Sequence, residues 1–517
     1  MTHGQPFRLE EATIDDLHRA IRDGQTTCVA VVQHYIDRVR AYNGVSSMLV
    51  TEDGEPVPES PGVIRGGTPL RFPTRTEKAS AILPDLDKYT GPPLEFGRME
   101  PTASNPAVQQ QFGMIVGIPN AGQVNALGTI NIRGERSVTC RGDFDRHPSQ
   151  GPLPPGAPPV CETFRQQPDA LERAAELDAE YGASPDLAKL PMYGVVFSFK
   201  DPFDTKDMRS TGGGDAVYDM DFPARDHLLV EQLRAKGAII FAKAVNTEYN
   251  GRAGDPGGRN HPDKVLPSTL GYQRSTWAGN PSNPYDTTRA ASLGSSSGSA
   301  LSVSTNMVMI SLGEETRASC RGPSNHNSVA LLLPHKAMIG FDGGAIGADI
   351  YCDRSGIHAR RIGDAAKVLD ALKDPVNGYY DPRDPYTTVP RSSVLPTAYA
   401  SHATMSGEPG ALSGMRIGVI RESMLNPETK HVEPITTAVA VEIKTVLGGR
   451  LGATLVESSD PVWTPDPDIE QMQTSFRTAL ARLVPVFMPE LLFRLGADGQ
   501  PVFKDFAAAI QPTEFMP

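Results

Sequence analysis

The sequence predicts an α/β protein, a sheet with helices on its faces. Short apolar runs of strand length (Tyr193–Phe199, Ile239–Ala242, Met307–Leu312, Met415–Ile420) recur from residue 193 onward. They alternate with stretches whose apolar residues repeat at helical spacing (His227–Lys236, Asp364–Leu372, Thr436–Leu447), the pattern of strands covered by helices. The chain has 517 residues, 39% of them hydrophobic and 21% charged. That is ordinary for a soluble globular protein and enough for a large core or two to three domains.

Taken in order, Ile14–Gly24 and Thr27–Tyr42 read as two helices, with Thr26 or Thr27 as N-cap of the second and Gly24 and Asn43-Gly44 as stops. From about Val45 to Arg165 the periodicity dissolves into Pro- and Gly-rich sequence, ending in Gly151-Pro152-Leu153-Pro154-Pro155-Gly156. Two apolar runs inside it, Phe112–Val116 and Leu127–Ile132, read as small strands. A helix is expected over Pro168–Tyr181, with Leu171, Ala174, Ala175 and Leu177 on its apolar side. The alternating segment follows, and Met415–Val456 reads as a separate strand, helix and strand.

Bulk properties exclude several functions. The formal charge is −12 with no basic block, so nucleic acid is not an expected partner. No window approaches 18 uninterrupted apolar residues, so no membrane span is expected. The N-terminal residues lack the apolar core of a signal peptide. Five scattered cysteines, Cys28, Cys140, Cys161, Cys320 and Cys352, suggest reduced thiols and a cytoplasmic setting. None forms a Cys-x-x-Cys pair beside histidines, so no metal site is expected.

The chemistry concentrates in three places. Leu293-Gly294-Ser295-Ser296-Ser297-Gly298-Ser299-Ala300 is a serine-rich loop, and Gly313-Glu314-Glu315-Thr316-Arg317-Ala318-Ser319-Cys320-Arg321 carries another serine 319 − 295 = 24 residues on. Upstream, Phe197-Ser198-Phe199-Lys200-Asp201 ends an apolar run in a lysine. Amide cleavage without histidine or metal needs such a set: a base that can be neutral, a hydroxyl made nucleophilic, and backbone N–H groups facing an oxyanion. A lysine accepts a proton only when neutral, and burial among residues such as Val195, Val196, Phe197 and Phe199 penalises its charged form. Taken singly, the loop reads as a flexible Ser/Gly turn and the lysine as a surface partner of Asp201; the three in register favour chemistry.

These segments resemble the amidase signature family, in the order Lys, Ser, Ser and in the 24-residue spacing. Asn283-Pro284-Tyr285-Asp286, Lys206-Asp207-Met208, Thr211-Gly212-Gly213, Pro323, Pro334, Asp353, Gly356 and Ala359–Asp364 extend the likeness over roughly residues 10–43 and 166–460. The resemblance implies a mixed central sheet sandwiched between helices. It also implies a triad in which Ser319 is the nucleophile, Ser295, at a cis peptide bond, is its base, and Lys200 takes the proton. The oxyanion would rest on the backbone N–H groups of Thr316, Arg317, Ala318 and Ser319. Ser296 would support Lys200 or Ser295, and Arg321 would pair with Glu315. The chain departs from the family at Arg317 and Ala318, positions usually glycine. For Arg317 three readings stand: an ion pair with Glu314 or Glu315, recognition of a substrate carboxylate, or a disabled site. His326, His335 and His358 read as structural histidines, and Ser297 as a loop hydrogen-bonding residue. The Thr211–Gly214 loop is expected to shape the pocket.

The function so implied is an amidase, hydrolysing a non-peptide carbon–nitrogen bond through an acyl-enzyme, with no cofactor and no metal. The alternatives are a catalytically impaired scaffold or a glutamine-dependent amidotransferase A-type subunit. The expected partner is a small-molecule amide, without nucleic acid or membrane, and a homodimer is compatible. The expected organisation is N-terminal helices over 1–44, a loop-rich insertion over 45–165 covering the pocket mouth, and the amidase core with a smaller distal layer over 166–517, its C-terminus truncated or processed.

Overall fold

The computed structural model describes residues 7–43, 61–63, 69–71, 124–137, 139–140, 142–147, 151–213, 222–247, 250, 281–290, 294–316, 318–335, 338–343, 353–379, 391–403, 407–420 and 434–458. The described residues up to Ser401 form one unit and those from His402 a second.

In the first unit, α1 (Ile14–Arg22) starts at a capping box between Thr13 and Asp16 and buries Ile14, Leu17, Ala20 and Ile21. α2 (Cys28–Tyr42) is capped by Thr27, whose hydroxyl accepts the Ala30 N–H at 3.1 Å. The N–H groups of Cys28 and Val29 are left over by that cap. Both donate to the Asp178 carboxylate at 2.9 Å, which places an anion at the positive end of the helix. Asp178 belongs to α3 (Ala170–Tyr181), itself opened by a capping box of Asp169 and Glu172.

The central sheet has six strands: β1 (Leu127–Ile130), β2 (Val196–Lys200), β3 (Ile239–Ala244), β4 (Ile310–Glu315), β5 (Ala330–Leu332) and β6 (Arg354–Ala359). Their order is β1-β3-β2-β4-β6-β5. β2 runs parallel to both β3 and β4, and the other pairs are antiparallel. The sheet is thus mixed, flanked by helices that include α4 (Leu228–Ala235), α5 (Ser297–Ser304) and α7 (Ile362–Leu372), with α6 (Arg321–His326) following β4. Every residue of β2, β3 and β4 is buried. Strands covered on both faces carry continuous apolar runs rather than alternation, which is why those runs announce them.

Boundaries moved where a turn intervenes. β2 begins at Val196 because Gly194, with φ +71°, turns the chain and bonds Gly237 O at 3.1 Å. β4 begins at Ile310, three residues after the expected start, because Asn306 (φ +56°) and Met307 still close the end of α5. That shift puts Glu314 and Glu315 on the strand.

β1 lies inside the stretch whose composition reads as loop. It pairs with β3 (Leu127 with Ala244, Ile130 with Ala242), and Asn131 N–H extends the ladder to Phe241 O at 2.7 Å. Beyond it the buried Arg136 grips both oxygens of Asp145 at 2.8 Å. Cys140 and Cys161 form a disulfide, their Cα atoms 5.4 Å apart. This corrects the expectation of reduced thiols throughout: 21 residues of separation do not disclose that the loop returns on itself. Cys28 and Cys320 are free and buried. Cys352, and the strand expected at Phe112–Val116, lie outside the described residues.

In the second unit, β7 (Arg416–Ile420) and β8 (Thr454–Ser458) pair in parallel, Arg416 with Thr454 through Ile420 with Ser458. α8 (Pro434–Glu442) lies between them in sequence and continues as a π-helical stretch over Ile443–Arg450. Among the described residues no helix is long and apolar enough to cross a membrane.

Candidate active site

The C-terminal end of β2 delivers Lys200 into the centre of the sheet, with its side chain fully buried. Asp201, the next residue, folds the following loop back against the strand. Its carboxylate accepts the N–H and hydroxyl of Thr211 at 2.6 and 2.7 Å and the Gly213 N–H at 3.3 Å. Asn246, just past β3, holds Gly212 O at 3.2 Å. The expected Thr211-containing loop therefore lies beside Lys200; Gly214 is outside the described residues.

The serine loop arrives from the other side. The Gly294–Ser295 peptide bond is cis, and Ser295 O accepts the Thr247 N–H at 3.1 Å. Ser297 opens α5, whose buried residues run from Ser297 to Val303. Gly298 lets the helix start there: a Cβ on it would lie 2.2 Å from Ala126 O and 2.4 Å from Val245 N. A buried hydroxyl set ties α5 to the sheet, with Ser198 Oγ 3.0 Å from Ser302 Oγ and 2.8 Å from Ser311 Oγ. The outcome is a 2.7 Å hydrogen bond from Lys200 Nζ to Ser295 Oγ.

Ser296 locks the loop to β4. Its hydroxyl donates to Glu314 O at 2.9 Å and accepts the Glu314 N–H at 3.2 Å, and its N–H donates to Ser319 O at 3.0 Å. Ser296 thus bonds the strand and Ser319's carbonyl rather than Lys200 Nζ. Gly313 permits the approach, since a Cβ there would meet His358 Nε2 at 2.5 Å and Cys320 Sγ at 2.9 Å.

Ser319 is half-buried between β4 and α6. The turn that carries it is pinned by Glu315, whose carboxylate accepts the N–H groups of Cys320 and Arg321 at 3.0 Å each. The same carboxylate receives Arg321 Nε at 2.8 Å and Arg354 Nη2 at 3.3 Å. Thr316 Oγ1 donates to Asp353 at 2.5 Å, and Ala318 is exposed. Arg317 lies outside the described residues. Lys200 and Ser295 are thus in direct contact, and Ser319 is joined to them through the backbone of Ser296.

Two residues at this site escaped sequence reading. Glu314 Oε2 lies 3.1 Å from Lys200 Nζ, both side chains being buried, and Glu314 O lies 3.3 Å from the same nitrogen. Asn250 Nδ2 donates to Glu314 Oε2 at 2.9 Å and Oε1 at 3.2 Å. Adjacent Glu-Glu on a strand was the available signal, since alternate strand residues point to opposite faces and one of the pair had to point at the lysine. Burial, with Lys200 adding to it, holds His358 neutral, its pKa pushed down to about 3; its Nδ1 bonds Ser324 Oγ at 2.8 Å. Burial likewise pushes the Cys320 thiol up to about 12. Neither is a base or nucleophile at neutral pH.

The model of the Amidase family matches residues 161–459. The chain belongs to the amidase family. It is 31% identical over 298 residues to a probable amidase of Arabidopsis thaliana, covering 56% of this chain and 53% of that one. It is 27% identical over 278 residues to the A-type subunit of glutamyl-tRNA(Gln) amidotransferase from Cupriavidus necator, covering 52% and 49%. This amidase-family chain thus spans about half the length of these relatives. In fold it is similar to the peptide amidase of Stenotrophomonas maltophilia, with a TM-score of 0.57 and 21% identity over 97% of this chain and 71% of that one. An amidase family protein of Bacillus anthracis gives 0.52 and 19% over 87% and 61%.

Proposed function

We propose that the protein hydrolyses a carbon–nitrogen amide bond of a small molecule by acyl transfer to Ser319. Family membership supports the reaction class. The observation that carries the assignment of roles is the 2.7 Å contact of Lys200 with Ser295 at the cis peptide, one residue from the amide that holds Ser319. Ser295 takes the proton of Ser319 and passes its own toward Lys200, and the Ser319 oxygen attacks the carbonyl. The oxyanion is held by backbone N–H groups of residues 316–319, with Asp353 holding Thr316 and Glu315 holding the N–H groups of Cys320 and Arg321. The tetrahedral intermediate collapses as the proton returns through Ser295 to the leaving nitrogen. Water then enters by the same route, releasing the acid and regenerating the serine. One oxyanion donor is worth roughly 100–1000-fold in turnover, so side chains at positions 317 and 318, where the family usually has glycine, bear on rate.

Labelling with a fluorophosphonate tests this directly: wild type becomes labelled and Ser319→Ala does not. No labelling of the folded wild type favours the scaffold reading. The likeness to A-type amidotransferase subunits favours one further reading, release of ammonia from glutamine by the same residues. Glutaminase activity that appears only with a partner protein decides for it. The cytoplasmic setting rested on unpaired thiols, and the Cys140–Cys161 bond removes that ground, because cystines persist mainly in oxidising compartments.

A further inference from the structure

We propose that Glu314 is a positioning residue that acts through Lys200: it takes over the lysine's proton, so that the relay from Ser319 ends on a carboxylate. The inference rests on the assignment of Ser319, Ser295 and Lys200 above.

A lysine that ends a relay must offer a lone pair to Ser295. Here the fully buried Nζ has three oxygen neighbours, Ser295 Oγ, Glu314 Oε2 and Glu314 O. That is the number of acceptors an ammonium group uses, whereas a neutral amine has two N–H bonds and one lone pair. One of the three is a carboxylate oxygen, at 3.1 Å, so the contacts are those of an ammonium donor. Such a group accepts nothing from Ser295 unless it gives up a proton, and the acceptor stands beside it. In the balanced step the Ser319 proton moves to Ser295 Oγ and the Ser295 proton to Lys200 Nζ. One N–H of Lys200 moves to Glu314 Oε2 as the Ser319 oxygen forms its bond to the carbonyl carbon. Lysine stays charged, the carboxylate becomes the acid, and every transfer reverses when the leaving nitrogen is protonated. Asn250, donating to both oxygens of Glu314, keeps the carboxylate turned toward the lysine.

The other titratable groups around the pair are committed elsewhere. On β6, His358 is neutral and bonded to Ser324. Glu315 is held by Arg321 and Arg354, and Asp353 by Thr316. Asp201 is held by Thr211, and Lys243 on β3 bonds Asp201 O, Phe203 O and Ser210 Oγ. Cys320 is a buried thiol. Among the described residues, Glu314 is the only carboxylate bonded to Lys200.

The test is the rate of fluorophosphonate labelling from pH 5 to 10, read for wild type, Glu314→Gln, Glu314→Asp and Asn250→Ala. General-base assistance is worth on the order of 100-fold or more, so Glu314→Gln is expected to label about 100-fold more slowly at pH 7. Its rate should climb with pH where the wild type is already level. Glu314→Asp, which keeps the charge, should recover part of the rate, and Asn250→Ala should shift the profile in the same direction as Glu314→Gln but less. If Glu314→Gln labels as fast as wild type or faster, the carboxylate is not the acceptor. If it is slower with an unshifted profile, its role is packing alone; either result overturns the proposal. Should Glu314→Gln not fold, an unshifted Asn250→Ala profile does so. If Ser319→Ala labels as fast as wild type, it is the assignment of the nucleophile that fails.

Discussion

Replacing Lys200 by methionine separates what the lysine does for folding from what it does for chemistry. The side chain is fully buried and bonds one hydroxyl, one carbonyl and one buried carboxylate. Methionine fills similar volume, so the cavity term is small. The dominant cost is Glu314, left as a buried charge with Asn250 as its remaining side-chain donor among the described residues. Breaking a buried pair from one side costs about 3–5 kcal/mol. The double variant Lys200→Met/Glu314→Gln removes both charges and should regain most of that loss, since replacing a buried pair whole is close to neutral. Activity should follow another course: both variants should lose at least about 1000-fold, within the range for a positioned proton acceptor and relay. The assays are urea unfolding followed by circular dichroism and the rate of fluorophosphonate labelling. If the single variant is as stable as wild type, the pair is not buried as described. If the double variant recovers activity along with stability, Lys200 serves only to neutralise Glu314.

Gly298→Ala places a methyl 2.2 Å from Ala126 O; overpacking against backbone costs at least about 1–3 kcal/mol, and displacement of the Ser295 loop should lower labelling more than tenfold, checked by unfolding and labelling side by side. His358 has a folded-state pKa near 3, below its unfolded value near 6.5. The unfolded chain therefore binds more protons between those values, and stability should fall as pH drops through this window, by up to about 1.4 kcal/mol per pH unit. His358→Asn should flatten that slope in urea titrations from pH 7 to pH 4; an unchanged slope contradicts it. Cys140→Ser should lower stability by roughly 3 kcal/mol, the chain-entropy value for a loop of this length, and non-reducing peptide mapping of wild type should recover the Cys140–Cys161 pair.

The layered α/β fold was legible because β2, β3 and β4 are buried on both faces, which writes them as unbroken apolar runs. The cap at Thr27 was equally local, one hydroxyl accepting one backbone N–H. β1 was legible as a small strand in the apolar run Leu127–Ile132, but its place at the sheet edge was not, since that comes from pairing with β3, more than 100 residues on. The disulfide is of the same kind, a product of how a loop closes. At the candidate site, residue type and spacing singled out Lys200, Ser295 and Ser319, because small residues and a lysine after an apolar strand stand out along a chain; the structure bonds the first two and links the third through the Ser296 backbone. Glu314 stayed hidden, since one of two adjacent carboxylates reads as solvated surface until strand register turns it inward. The hydroxyl set of Ser198, Ser302 and Ser311 is also invisible in one dimension, its members coming from three elements.

The most direct test of the relay is to trap its intermediate. Wild-type protein mixed with an activated aryl ester, quenched in acid within the first turnovers and mapped by peptide mass spectrometry should carry one acyl group on Ser319. Ser295→Ala should carry little at the same time point. An acyl group on Ser295, on Cys320 or on no residue of a turning-over enzyme would contradict the account.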